Sequence, residues 1–432
     1  MPRPQRDNRP IAPTPPPPAG KRQRVHALDW LRVLAFGLLI FFHSAVLFIP
    51  DAIPDMPNAE SSPALRLFVA FLHQFRLDLL FLVSGVGVCF ALGARSPRAF
   101  LAERSRRLLI PLVFGILVVV PPMVFLEKSY NNALEDGPGG FVAFYGSMFD
   151  GRVYPDGSLS WHHYWFIDYL YLFCLLALPL FLHWRGGVGA GRFERWADWA
   201  AQGYRLFALC LPLLAIELAL RPLFPGFRNL LGDWASFSHW LTIFIAGWAM
   251  AHRPILLDRA RTLRRSSLIV AGCANILLFA LYYSAKEGLS HPQELTLANA
   301  LSFALFSSLR VLSAWAWLLC CLGFALQWLN RPGKALGYLN RAVYPLFCLH
   351  QTTIVALGYC ILPLDWSIGA KFWAISLGTF AIVLTLYEIA IRRSAVLGAV
   401  LGAAREPKKA RAVASFPKQR DSERASRRTP AT

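Results

Sequence analysis

The chain has 432 residues, 56% of them hydrophobic and 16% charged, with a formal net charge of +19. A water-soluble protein of this length would carry more charge and shorter apolar runs. Apolar stretches near or above 18 residues recur instead, which is the composition of a polytopic membrane protein. The basic residues alternate by loop, so the charge reads as membrane topology and argues against nucleic acid as a partner. Eight cysteines all fall inside predicted spans and form no CxxC pair, so neither a disulfide framework nor a metal site is implied.

In chain order, residues 1–27 are Pro-rich and basic without an apolar core, which predicts a disordered cytoplasmic tail and not a cleaved leader. Ten spans follow, at roughly 28–49, 64–94, 107–126, 161–184, 204–224, 234–252, 265–285, 302–329, 338–362 and 371–392. The second is long enough to tilt or break. The segment 127–160 holds Gly-Pro-Gly-Gly, Asp-Gly and Pro-Asp-Gly, turn signals that predict an irregular outer loop with room for a short helix. Residues 393–432 again read as a basic, disordered tail. Thirty-four Lys and Arg fall on the side of the termini, seven on the other, and three inside spans. The expected fold is therefore all-α, a bundle of about ten transmembrane helices over residues 28–392, with both termini cytoplasmic in a bacterial-type inner membrane.

Ionisable residues inside the spans need partners or a purpose. Arg32 and His43 are eleven residues apart in the first span, about 16 Å along a helix and roughly 20° from a common face. This predicts a polar path along that helix; the plainer reading of Arg32 is an i,i+3 bridge to Asp29. The second span carries His73, Arg76 and Asp78, with Arg76 and Asp78 on different faces. His162 and His163 open the fourth span, either as part of an aromatic interfacial belt or as site residues. Glu217, Arg310 and His350 lie within later spans, where ion pairs or packing compete with function. Arg104 and Arg107, one turn apart, either belong to an ordinary basic flank or form a grip for a polyanion.

Several of these pieces resemble the acyltransferase-3 family of integral membrane O-acyltransferases: Arg32-x10-His43, Phe81-Leu82-Val83-Ser84-Gly85, Arg104-x-x-Arg107, His163-Tyr164-Trp165-Phe166, and Tyr344-Pro345-Leu346-Phe347-Cys348-Leu349-His350-Gln351. The sequence most resembles the glucan-biosynthesis C-type, succinyltransferase-like branch, from which it departs at Pro121-Pro122-Met123 and His163-Tyr164-Trp165-Phe166. The resemblance implies transfer of an acetyl or succinyl group from cytoplasmic acyl-CoA to a hydroxyl of an extracytoplasmic carbohydrate, with no permanently bound cofactor. Arg32, Arg104 and Arg107 would hold the CoA phosphates. His43 would be the general base, its imidazole titrating in the right range to accept the hydroxyl proton; an acyl-histidine is the alternative. His350 or Asp78 would orient His43, and Arg76, Arg310 and His163 would serve the substrates. A proton-coupled transporter or flippase would also use buried His, Asp and Arg, but no pair of Gly/Pro-broken helices recurs in two halves.

Overall fold

The computed structural model describes residues 25–49, 56–134, 140–226, 229–284 and 296–403. All regular elements among them are helical. The first is α1 (His26–Val46); then come α2 (Pro63–His73) and α3 (Arg76–Gly93), which share one expected span. The break falls at Gln74 and Phe75, where Phe75 leaves the helical region at φ −140°, ψ −10°. Ser62 caps α2 through the Leu65 amide, with Pro63 at the first turn, so the sequence itself sets that start.

Next are α4 (Pro97–Phe114) and α5 (Val120–Tyr130), joined by a π-helical turn at Gly115–Val119. The cause lies in Pro121 and Pro122. Neither has an N–H to donate four residues back, so the ladder loosens there. The Leu117 carbonyl instead accepts from the Tyr145 hydroxyl at 2.9 Å; the Thr352 hydroxyl also donates to the Val119 carbonyl on this turn, at 2.9 Å. The short α6 (Phe141–Ser147) lies in the segment expected to be a loop. α7 (Trp165–Leu176) and α8 (Leu178–Arg185) are two apolar helices that meet at a 42° bend beside Pro179.

The remainder are α9 (Gly187–Ala200), α10 (Cys210–Leu220), α11 (Trp234–His252), α12 (Pro254–Ser284), α13 (Leu297–Trp328), α14 (Lys334–Ile361), α15 (Ile368–Leu386) and α16 (Ala395–Val400). The last falls in the stretch expected to be a disordered tail; residues 1–24 and 404–432 of the two expected tails lie outside the described residues.

Six helical segments among the described residues are both long and apolar enough to cross a bilayer, seven if the bent α7–α8 pair counts as one. Ten were expected, and the difference has a physical basis. At 11 residues α10 rises about 17 Å, far short of a ~30 Å hydrocarbon layer. α11 and α14 are longer but carry polar residues along their length.

α3 is the buried axis of the bundle. It packs against α11 through interlocked glycines: a Cβ on Gly85 would overlap the Phe244 carbonyl, and one on Gly247 would overlap the Leu82 carbonyl. Small residues of this kind let two helix backbones approach where no hydrophobic drive separates protein from lipid. An aromatic layer of Phe81, Trp165, Phe173 and Trp240 fills the space around this contact.

Candidate active site

α1 and α14 run side by side in the same direction. At one end Arg32 donates to Asn340 Oδ1 at 3.3 Å, and at the other the rings of His43 and His350 stand 5.4 Å apart. The eleven residues of one helix and ten of the other cover nearly the same rise, about 15–16 Å. His43 and Arg32 therefore mark opposite ends of one shared face.

At the histidine end a cavity of about 410 Å³ is lined by His43, Arg76, His162, His163, His350 and Gln351, among others. His163 and His350 are buried, with ring centroids 5.2 Å apart; His43 is half-buried. Their tautomers follow from their partners. His350 Nδ1 faces the Phe347 carbonyl at 2.6 Å, and His163 Nε2 faces the Cys348 carbonyl at 3.0 Å. A carbonyl only accepts, so those nitrogens carry the protons. His350 Nε2 and His163 Nδ1 are then lone pairs, and neither has a hydrogen-bond partner among the described residues. Tyr164 also donates to the Cys348 carbonyl, at 3.1 Å. Its ring fits because position 115 is glycine: a Cβ there would overlap it.

Arg76 brings a cation to the same cavity. It is 2% exposed and lies over the Phe42 ring, 3.2 Å from the centroid. The mouth is built from the irregular segment before α7. His162 sits in the left-handed region at φ 38°, held by Ser160 at 2.5 Å on Nδ1 and by Glu127 at 3.4 Å on Nε2. Tyr154 donates to the other Glu127 oxygen at 2.5 Å.

At the arginine end, Asn340 also donates to Asp29 at 3.1 Å, and Asp29 is 3.7 Å from Arg32, so the expected helix-end bridge is present. Arg104 and Arg107 share one carboxylate, Glu103, at 3.0 and 3.7 Å. Arg104 is packed over the Phe100 ring, whereas the Arg107 side chain is 43% exposed. Tyr344, one turn along α14 from Asn340, donates to the Arg107 carbonyl at 3.3 Å. Arg32 and Arg107 thus flank the same turn of α14.

Between the two ends, among the described residues, aromatic rings occupy the course of the expected polar path. Phe36, Phe166 and Phe347 fill it, with centroids 5.4 to 6.3 Å apart. Phe36 lies on the very face shared by Arg32 and His43, so helical spacing alone did not reveal what stands between them.

Two other expected site residues lie elsewhere. Asp78 and Arg310 line a second cavity of about 700 Å³ on the far side of α3. Asp78 is 3.2 Å from His239 Nε2, and Arg310 pairs with Glu217. Asp78 thus faces His239 and lines the second cavity, not the one lined by His43. Glu127, Tyr154, Asn340, Glu103 and His239 were not singled out in the sequence. For His239 the signal was available, since it is an ionisable residue within an expected span.

Comparison with known proteins places the chain in a family. The acyltransferase-3 family, described as an acyltransferase domain, matches residues 25–388. The chain belongs to this family. Its long apolar helical segments fit a multi-pass membrane protein. It is also similar to glucans biosynthesis protein C of Escherichia coli K12, at 28% identity over 170 residues, which is 38% of this chain and 41% of that protein. The same protein of E. coli O1:K1 / APEC is 27% identical over the same shares. These alignments span less than half of either chain. No solved structure matches this chain.

Proposed function

We propose that the protein transfers an acyl group from cytoplasmic acyl-CoA to a hydroxyl of an extracytoplasmic glycan, with His43 as general base. The observation that carries this reading is the convergence of four imidazoles, His43, His162, His163 and His350, on one cavity, two of them presenting unpartnered lone pairs. The loop bias of Lys and Arg supports assigning the arginine end to the cytoplasm. There Arg107, Arg104 and Arg32 would hold the CoA phosphates, and about 16 Å of extended thiol arm would carry the thioester to His43. Passage requires Phe36, Phe166 and Phe347 to part. Each such aromatic contact is worth about 0.5–1.5 kcal/mol beyond its burial, a barrier that ring motion overcomes.

In the transfer, His43 removes the hydroxyl proton as the oxygen attacks the thioester carbonyl. The C–S bond breaks, and the imidazolium returns the proton to the departing thiolate. His350, 5.4 Å from His43 between ring centres, is the positioning group in place of Asp78. Of the two cations expected in this half, Arg76 lines the reaction cavity and Arg310 does not. A succinyl carboxylate would pair with Arg76, which favours succinyl over acetyl as the transferred group. The acceptor would enter past Tyr154 and Trp161, and the name of the E. coli relatives fits a glucan in that role.

The test is mass spectrometry of surface glycans from cells with and without the protein. A gain of one succinyl unit per modified sugar is expected, and its absence in His43→Ala cells holding normal protein levels. Transfer by His43→Ala at the parent rate would overturn the assignment.

A further inference from the structure

We propose that the second cavity, enclosed by α2, α10, α11 and the α12–α13 hairpin, binds a lipid with a phosphate headgroup. At about 700 Å³ it lies in the range of ligand pockets. Its polar groups gather at one end. Glu217 is fully buried and takes two bonds from Arg221, at 3.0 and 3.1 Å, together with the ion pair from Arg310. His239 bridges Glu217 at 3.6 Å and Asp78 at 3.2 Å. Three arginines and two carboxylates line the cavity: Arg66, Arg221, Arg310, Asp78 and Glu217. Arg310 is the most open member of the Glu217 cluster, its side chain 34% exposed against 14% for Arg221. An oxyanion can meet that open guanidinium without rearrangement of the pairs beneath it.

The opposite end is apolar. Phe279, Tyr282, Tyr283, Phe303 and Phe306 line it. Tyr282 and Tyr283 are 57% and 56% exposed, and beside them Leu277, Leu301 and Leu305 are each more than half exposed. This rim is continuous with the outer apolar surface of the hairpin, the surface a bilayer would cover. A charged floor leading to a lipid-facing aromatic rim suits an amphiphile better than a soluble sugar. Leu77 and Trp240 close the cavity at its base, and Leu77 also walls the histidine cavity. The proposal stands independently of the transfer reaction.

The shared chemistry, a phosphate on a long apolar chain, has two sources: a bilayer phospholipid or a polyprenyl phosphate carrier. Native mass spectrometry of the full chain in detergent distinguishes them. Phosphatidylglycerol should be retained at one per chain, at least fivefold more than phosphatidylcholine. Ala70→Phe, which places a ring in the cavity without touching a charge, should lose that retention at least fivefold while its unfolding midpoint stays with the parent. Arg310→Gln, which keeps a donor to Glu217, should erase the preference for phosphatidylglycerol. Displacement of phosphatidylglycerol by tenfold less polyprenyl phosphate assigns the site to a carrier; failure to displace assigns it to bilayer lipid. Equal retention of the two phospholipids by the parent, or unchanged selectivity in Arg310→Gln, overturns the proposal.

Discussion

The two cavities meet at α3 and treat buried polarity in opposite ways. On one side Asp78 has His239, and Glu217 has Arg221, Arg310 and His239. On the other side His163 and His350 each spend one nitrogen on a backbone carbonyl and leave the second without a partner. A buried acceptor without a partner costs roughly 1–3 kcal/mol, and a fold retains such a group where something else requires it. Adjacent residues make the division: Arg76 lines the histidine cavity and Asp78 the ionic one, with Leu77 shared. One cavity leaves imidazole lone pairs open, and the other closes its carboxylates in ion pairs. Substitutions should therefore cost activity on one side and stability on the other.

The sharpest way to break that contrast is His43→Ala. It should lower acyl transfer by about 10²–10⁴-fold, the usual share of a positioned general base. Its thermal unfolding midpoint should stay with the parent, because His43 is half-buried at a cavity wall. A midpoint that falls together with activity would make His43 a packing residue.

Glu217→Ala is the mirror experiment. It strips two arginines of a buried counter-ion, and the cost of breaking such a cluster is about 3–5 kcal/mol. Thermal unfolding in detergent should register this in full, while the fraction that stays folded keeps its transfer rate. A variant as stable as the parent would show that Arg221 and Arg310 find solvent, and the ionic cavity would no longer count as architecture.

The same contrast separates what the sequence disclosed from what it did not. Spacing on a single helix was legible. Arg32 and His43 do mark the two ends of one face, and Arg76 and Asp78 do point apart. Partners across helices were not: nothing in α1 names Asn340, and nothing in the second span names His239. Long-range pairing depends on how helices rotate against each other, which hydropathy does not encode. The aromatic filling between Arg32 and His43 was hidden for a related reason. Phe36 is an ordinary apolar residue on paper and becomes a barrier only against Phe166 and Phe347. Span number departed from the expected ten where α10 is too short to cross and where polar residues thin the apolar signal in α11 and α14. By contrast Phe81-Leu82-Val83-Ser84-Gly85 was noticed as a pattern, and the structure supplies its reason. Gly85 is where the α11 backbone touches α3.

That contact yields an intermediate effect. Gly85→Ala would set a methyl against the Phe244 carbonyl, backbone against which no flexible side chain can yield. The helices must separate, at the roughly 1–3 kcal/mol typical of overpacking. Because α3 walls both cavities, stability and transfer should fall together, unlike either cavity substitution. Loss of only one would place the shift on a single side of α3.

The smallest expected effect probes how firmly the reactive side is held from outside. Thr352 follows Gln351, a cavity residue, and its hydroxyl supports the Val119 carbonyl on the π-helical turn at 2.9 Å. Thr352→Val keeps the side chain's shape and removes that one bond, worth about 0.5–1.5 kcal/mol. The unfolding midpoint should move by that little. Transfer should drop by a small factor, because the turn also carries Gly115, against which Tyr164 rests beside the Cys348 carbonyl. If Thr352→Val instead destabilised the protein as much as Glu217→Ala, the histidine cavity would be held as tightly as the ionic one. The difference between them would then lie only in where partners are missing, and not in how much of the fold each supports.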